Sequence, residues 1–114
     1  MNQDCLFCKI INNEIPSDRV YEDDQVIAFN DINPQAPFHV LIIPREHIST
    51  TNDLTSENAN LLGHMILTAK NIAAENNLSD PGYRLIMNCN EQGGQTVYHI
   101  HLHILGGRQL RGLG

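Results

Sequence analysis

The chain has 114 residues, room for one domain spanning 1–114 with a modest core. Thirteen Asp and Glu against seven Lys and Arg give a formal charge of -6, which argues against a partner that is a nucleic-acid polymer, since that needs a basic stripe. No run of about eighteen apolar residues occurs and the opening MNQDCLFCKI has no basic leader, so the expectation is a soluble, cytoplasmic protein with no membrane partner.

Residues 5 to 12, CLFCKIIN, are expected to form a short helix with Asp4 as its N-cap. Two β-prone runs, RVYED and QVIAFN, flank Asp23 and Asp24 and predict a hairpin. DINPQAP reads as a loop, because Pro34 and Pro37 cannot continue a ladder, and HVLIIP, His39 to Pro44, as a strand that Pro44 ends. Between Leu54 and Leu78, apolar Leu61, Leu62, Met65, Ile66, Ala69, Ile72 and Ala73 recur at helical spacing. Thr55 or Ser56 can cap this one long helix, and NNLSDPG stops it. Tyr83 to Asn88 predicts a strand, EQGGQTVY a polar Gly-rich loop, and the run from His99 a last strand. Strands and helices do not alternate regularly. The fold class is therefore α+β, with a five-stranded, mostly antiparallel sheet, one long helix and a short N-terminal helix.

In HIHLHIL, His99 to Leu105, period-two alternation puts His99, His101 and His103 on one strand face and Ile100, Leu102 and Ile104 on the other. Same-face neighbours lie about 6.5 to 7 Å apart, so three rings can line one pocket. A His-rich exposed face would show the same alternation. Chemically, a neutral imidazole is a nucleophile near neutral pH and can take a group from a substrate and release it to water. Gly93 and Gly94 allow backbone amides to approach a phosphate, although GGQT alone is a weak signal and more often a turn. Cys5 and Cys8 form a CxxC that, in a reducing compartment, suits a metal or redox pair better than a disulfide; Cys89 reads as a leftover buried thiol.

The His-φ-His-φ-His-φ-φ run, with φ apolar, resembles the signature of the histidine triad (HIT) family at every position. IPSDRVYEDDQVIAFNDINPQAPFHVLIIPREHIS and GYRLIMN with GGQTVYHIHLHILGGRQL resemble its Hint branch, the purine nucleoside phosphoramidate hydrolases, over most of the chain. The resemblance implies the HIT-like fold and hydrolysis of purine nucleoside phosphoramidates or aminoacyl adenylates to a nucleoside monophosphate. It implies His101 as nucleophile, His103 as contact to the α-phosphate, His99 as aid to the leaving group, and His39 as a fourth histidine packed beside the triad. Thr96 falls where a serine is common and keeps its hydroxyl. Asn88, Gly94, Gln95 and Thr96 would serve the phosphate and leaving group, and Asp31 the ribose. Ile32, Phe7, Ile10 and Phe29 would wall the purine, although composition alone would place these four in the core.

Cys5, Cys8, His47 and His99 resemble the structural zinc set of bacterial members, and two thiolates with two imidazoles suit a tetrahedral ion. No organic cofactor is implied, and a homodimer is. The carboxyl end, RQLRGLG, lacks the aromatic and proline tail of eukaryotic relatives. Two rival readings stand beside this one: a metalloenzyme in which His99, His101 and His103 chelate a catalytic zinc, and a nucleotide-binding or scaffold module with little activity.

Overall fold

The computed structural model describes residues 4–114. In chain order the elements are α1 (Leu6–Ile11), β1 (Arg19–Glu22), β2 (Val26–Asn30), β3 (Phe38–Pro44), α2 (Ala59–Glu75), β4 (Tyr83–Ile86) and β5 (Leu102–Gly106). The strands form one sheet in the order β1-β2-β3-β5-β4, with every pairing antiparallel. The α+β expectation of five strands, one long helix and a short first helix is met.

Alternation explains the layering. Val26, Ala28, Val40, Ile42, Leu102 and Ile104 share the face that packs on Met65, Ala69 and Ile72 of α2. Ile27, Phe29, Leu41 and Ile43 share the other face, under Phe7, Cys8 and Ile10 of α1. Both faces of β2 and β3 are covered, which is why those strands read as nearly continuous apolar runs. Burying each large aliphatic side chain contributes about 1.5–3 kcal/mol, so with nine buried residues on the α2 face and eight on the α1 face both layers are core.

The long helix starts at Ala59, after a single 3-10 turn over Ser56–Asn58 whose N-cap is Thr55. The Thr55 hydroxyl accepts from the Glu57 amide and the Asn58 side chain accepts from the Thr55 amide, a reciprocal cap. The hairpin turns on Asp23. Its Oδ1 accepts from the Gln25 and Val26 amides at 2.8 and 2.9 Å, while its Oδ2 accepts from the Tyr21 hydroxyl and from His64 Nε2 of α2 at 2.8 and 2.7 Å. Burial alone would raise this carboxyl's pKa, but those four bonds outweigh it and hold it well below the usual carboxylate range.

Four expectations need correcting. The N-cap of α1 is Cys5, whose Sγ accepts from the Cys8 amide at 3.3 Å, and Asp4 lies one residue before it. β5 begins at Leu102, so His99 to His101 lie outside the ladder: β3 and β5 part at Ile42↔Leu102, and the Ile100 amide donates instead to the Ile48 carbonyl at 2.7 Å. β4 ends at Ile86, two residues short of Asn88. Cys89 is only half-buried, and all three cysteines are free.

After β5 the chain bends back at Gly107, where φ is +94° and a Cβ would stand 2.9 Å from Pro37. Arg108 Nη2 then donates to the Gln35 carbonyl at 3.1 Å, fastening the exit of β5 to the loop before β3. Among the described residues, no helix is long and apolar enough to cross a membrane.

Candidate active site and metal centre

A cavity of about 360 Å³ opens between α1, the ends of β2 and β3, and the segment from Thr96 to His103. Of the residues singled out in the sequence, Phe7, Ile10, Phe29, Asp31, Ile32, His39, Thr96, His101 and His103 line it. His99, Asn88, Gly94 and Gln95 do not. Ser17, Asp18, Asn30 and Gln35 also line it, and nothing in their local sequence separates them from ordinary loop residues. A larger, open hollow of about 590 Å³ runs beside the β4 edge past Tyr83, Arg84 and Arg108, but none of the histidines reaches it.

The hydrogen-bond network assigns the imidazole tautomers. His101 Nδ1 donates to the His99 carbonyl at 2.8 Å, which leaves its Nε2 with a free lone pair. The Gln35 amide donates to His39 Nδ1 at 3.0 Å, so the His39 proton sits on Nε2. That Nε2 donates to His103 Nδ1 at 2.9 Å and lies 3.5 Å from an Asp31 carboxylate oxygen. His103 therefore carries its own proton on Nε2. A lone pair on His101 and an N–H on His103 stand side by side, with ring centres 5.0 Å apart.

Burial keeps these rings neutral. Desolvation lowers the pKa of His39 and His101 against the raising effects of Asp31 and, for His101, of the His99 carbonyl. It pushes His103 down to about 4, helped by the neighbouring His101 and His39. Phe7 packs edge-on to His101 at 5.0 Å and excludes water from that side.

The loop before the histidines is shaped from within. Asn88 Nδ2 donates to the Gly93 carbonyl at 2.6 Å, and Gly94 has φ +84°. The buried Gln95 amide accepts from the Asn90 amide at 2.8 Å and donates to the Ser49 and Val97 carbonyls at 2.7 and 3.1 Å. These contacts fix the exposed Thr96 at the cavity rim.

Behind the cavity, Cys5, Cys8, His47 and His99 bring their ligand atoms within 4.8 Å of one another. His99 Nδ1 lies 3.4 Å from Cys5 Sγ, 3.7 Å from Cys8 Sγ and 3.2 Å from His47 Nδ1, and Cys8 Sγ lies 3.3 Å from His47 Nδ1. Four such ligands around a tetrahedral zinc stand about 3.3–3.8 Å apart, given metal–sulfur bonds of about 2.3 Å and metal–nitrogen bonds of about 2.0 Å. The tautomers fit as well. His99 Nε2 donates to the Pro44 carbonyl at 2.8 Å, so its Nδ1 lone pair points inward, and the Ser49 hydroxyl 3.2 Å from His47 Nε2 is able to accept the proton that frees His47 Nδ1 for an ion. Burial pushes the Cys8 thiol up to about 11, and a cation would reverse that by displacing the proton.

Asp31, His39 and His103 form a second cluster of metal-ligand type. There the Gln35 amide occupies the Nδ1 lone pair of His39 and forces the proton onto Nε2, so the atom that would face an ion is a donor. The set His99, His101 and His103 does not converge: His99 turns its Nδ1 to the thiols and His101 turns its Nδ1 to a carbonyl. The metalloenzyme rival loses its ligand geometry.

A family model described as scavenger mRNA decapping enzyme C-term binding matches residues 4–112. The chain is 56% identical over 110 residues, 96% of its length and 92% of the relative's, to a protein of Escherichia coli strain K12 named purine nucleoside phosphoramidase. The crystal structure of a HIT family hydrolase from Legionella pneumophila Philadelphia 1 superposes with a TM-score of 0.93 at 54% identity, covering 95% of this chain and 96% of that one. A Zn-bound histidine triad family protein from Mycobacterium smegmatis superposes at 0.80 and 32% identity, covering 92% and 76%. With the histidine run, the antiparallel sheet and these likenesses in agreement, the chain belongs to the histidine triad family, in its Hint branch.

Proposed function

We propose that this hydrolase-family protein cleaves purine nucleoside phosphoramidates, and the related aminoacyl adenylates, to a nucleoside monophosphate through a covalent nucleotidyl-His101. The observation that carries this is the pairing of tautomers: a free lone pair on His101 Nε2 beside a proton on His103 Nε2. The His101 lone pair attacks the α-phosphorus, and the bond to the leaving nitrogen or oxygen breaks as that atom takes up a proton from water at the open rim and departs; the water that later adds to phosphorus returns a proton to solvent. His103 Nε2–H donates to a phosphate oxygen as charge builds there, and the Gln35–His39 chain keeps that proton in place. The Thr96 hydroxyl at the rim serves the phosphate and the departing group. Water then cleaves the nucleotidyl–imidazole bond, returning the His101 lone pair and releasing the monophosphate.

Asp31 accepts from the ribose hydroxyls, and Phe7, Ile10, Phe29 and Ile32 hold the base. Asn88, Gly94 and Gln95 serve the phosphate through the loop that they shape. His99 contributes through its carbonyl, since its ring is fully buried. Zinc held by Cys5, Cys8, His47 and His99 would supply a cross-link and no chemistry to the reacting atoms. The unpaired edge of β4 supports a homodimer joined there, and the three free cysteines suit the reducing cytoplasm.

The test is turnover of adenosine 5′-phosphoramidate by the purified protein, set beside calorimetric binding of AMP. Release of AMP with multiple turnovers is expected. Binding of AMP without turnover would refute the hydrolase and leave the binding module.

A further inference from the structure

We propose that the metal centre and the nucleotide cavity are two ends of one mechanical unit, so that metal binding and nucleotide binding strengthen each other. This rests on the nucleotide and metal readings above.

The shared part is α1, six residues long. An isolated helix of that length does not hold itself together, so its position is set by what its side chains grip. The cysteines of the metal cluster, Cys5 and Cys8, are three residues apart, and so are Phe7 and Ile10 of the cavity wall. Cys5 caps the helix and Cys8 lies within it, while Phe7 and Ile10 face the cavity from the same short segment, so the two sets alternate along residues 5 to 10. Displacing one displaces the other.

Two further contacts join the sites. The Phe7 ring packs 5.9 Å from His99 and 5.0 Å from His101, so one side chain touches a metal ligand and the nucleophile together. The His99 carbonyl accepts the His101 Nδ1 proton, so a shift of the His99 backbone misaligns His101 Nε2. At its far end α1 is anchored by Arg19, whose Nη2 donates to the Ile10 carbonyl at 2.7 Å. At its near end the thiols lie 3.3 to 3.7 Å from imidazoles carried by the rest of the fold, and these are contacts a cation would convert into bonds. An ion that pins this end sets Phe7 in place before a nucleotide arrives; a nucleotide wedged against Phe7 holds the thiols where the ion needs them. Coupling of this kind is reciprocal by linkage and typically changes affinity by roughly 5- to 150-fold.

The experiment measures both directions. AMP affinity is determined by calorimetry on zinc-loaded and chelator-stripped protein, and zinc affinity by competition with a chromogenic chelator, with and without saturating AMP. The expected result is a tightening of about tenfold in each direction, by the same factor, with a factor nearer one in Phe7→Ala. Circular dichroism checks that the stripped protein is folded at the temperature used. If it is not, His47→Asn takes its place, because it removes a ligand from outside α1 and outside the cavity; the loosened site is then expected to bind AMP several-fold more weakly. Zinc and AMP both binding with a factor of one would overturn the inference alone. Failure to bind zinc would overturn it with the metal reading, and zinc binding without AMP binding would overturn it with the nucleotide reading.

Discussion

Replacing His101 by Asn separates chemistry from architecture. The amide can still donate to the His99 carbonyl, now bonded at 2.8 Å, so the polar tie that this buried side chain makes among the described residues survives. What is lost structurally is the ring between Phe7 and His103, each with its centre 5.0 Å away. Ring contacts of this type are worth about 0.5–1.5 kcal/mol, and trimming a buried side chain adds about 1 kcal/mol. The two contacts and the trimming together come to roughly 2–4 kcal/mol, so a chain of this size loses about 8–16 °C in Tm and stays folded at 25 °C. The chemical loss is of another order. Removing a nucleophile costs at least about a thousandfold in rate, or ~4 kcal/mol of transition-state stabilisation. The assay is single-turnover hydrolysis of adenosine 5′-phosphoramidate with quenching that preserves the nucleotidyl–protein bond, alongside AMP binding and a melting curve. A rate within about tenfold of wild type, or label mapped to His103 or His39, would refute the role given to His101.

Three other expectations follow from the same geometry. Cys8→Ser should lower Tm by more than about 4 °C and reduce bound metal, while kcat at saturating substrate stays within about threefold; collapse of kcat in a folded, stable variant would contradict a structural metal. His103, facing His101, His39 and Asp31, is held neutral at about 4 in the folded chain against 6.5 ordinarily, so the unfolded chain binds the extra proton between those values. Stability is therefore complete above pH 6.5 and falls as the pH is lowered towards 4; the slope of Tm against pH over that interval should flatten in His103→Asn, and an unchanged slope would count against the assignment. Sedimentation at micromolar concentration should give a dimer, with Ile86→Asp on the β4 edge shifting it to monomer; a stable wild-type monomer would contradict the joined-sheet reading.

What could be read in advance was what periodicity controls. The apolar positions of α2, the doubly buried β3 and the Asp23 hairpin all announce themselves by spacing. The histidine run announced its one-sided face but not where pairing begins. The register of β3 against β5 decides that, and it is a property of two strands sixty residues apart in sequence. Cys5 as N-cap was hidden because a thiol is a weak acceptor and Asp4 beside it is a strong one. At the site, the side chains were legible through resemblance, whereas the groups that set their protons were not. The Gln35 amide and the carbonyls of Pro44 and His99 are backbone atoms, present in every residue and so carrying no signal in the sequence.

The Gln35 backbone is held from both sides. Its carbonyl is gripped by Arg108 and its amide specifies the protonation of His39, while Pro37, two residues on, is wedged by the turn at Gly107. The last turn of the chain thus takes part in writing the proton inventory of histidines it never touches. An alanine at Gly107 would meet both a left-handed backbone and the Pro37 ring, and the displaced loop would carry the Gln35 amide with it. Released from that amide, His39 Nδ1 is free to take the proton; His103 Nδ1 then loses its donor and Nε2 its obligation to remain one. A substitution that looks like a matter of tail geometry would surface as a fault in acid–base bookkeeping.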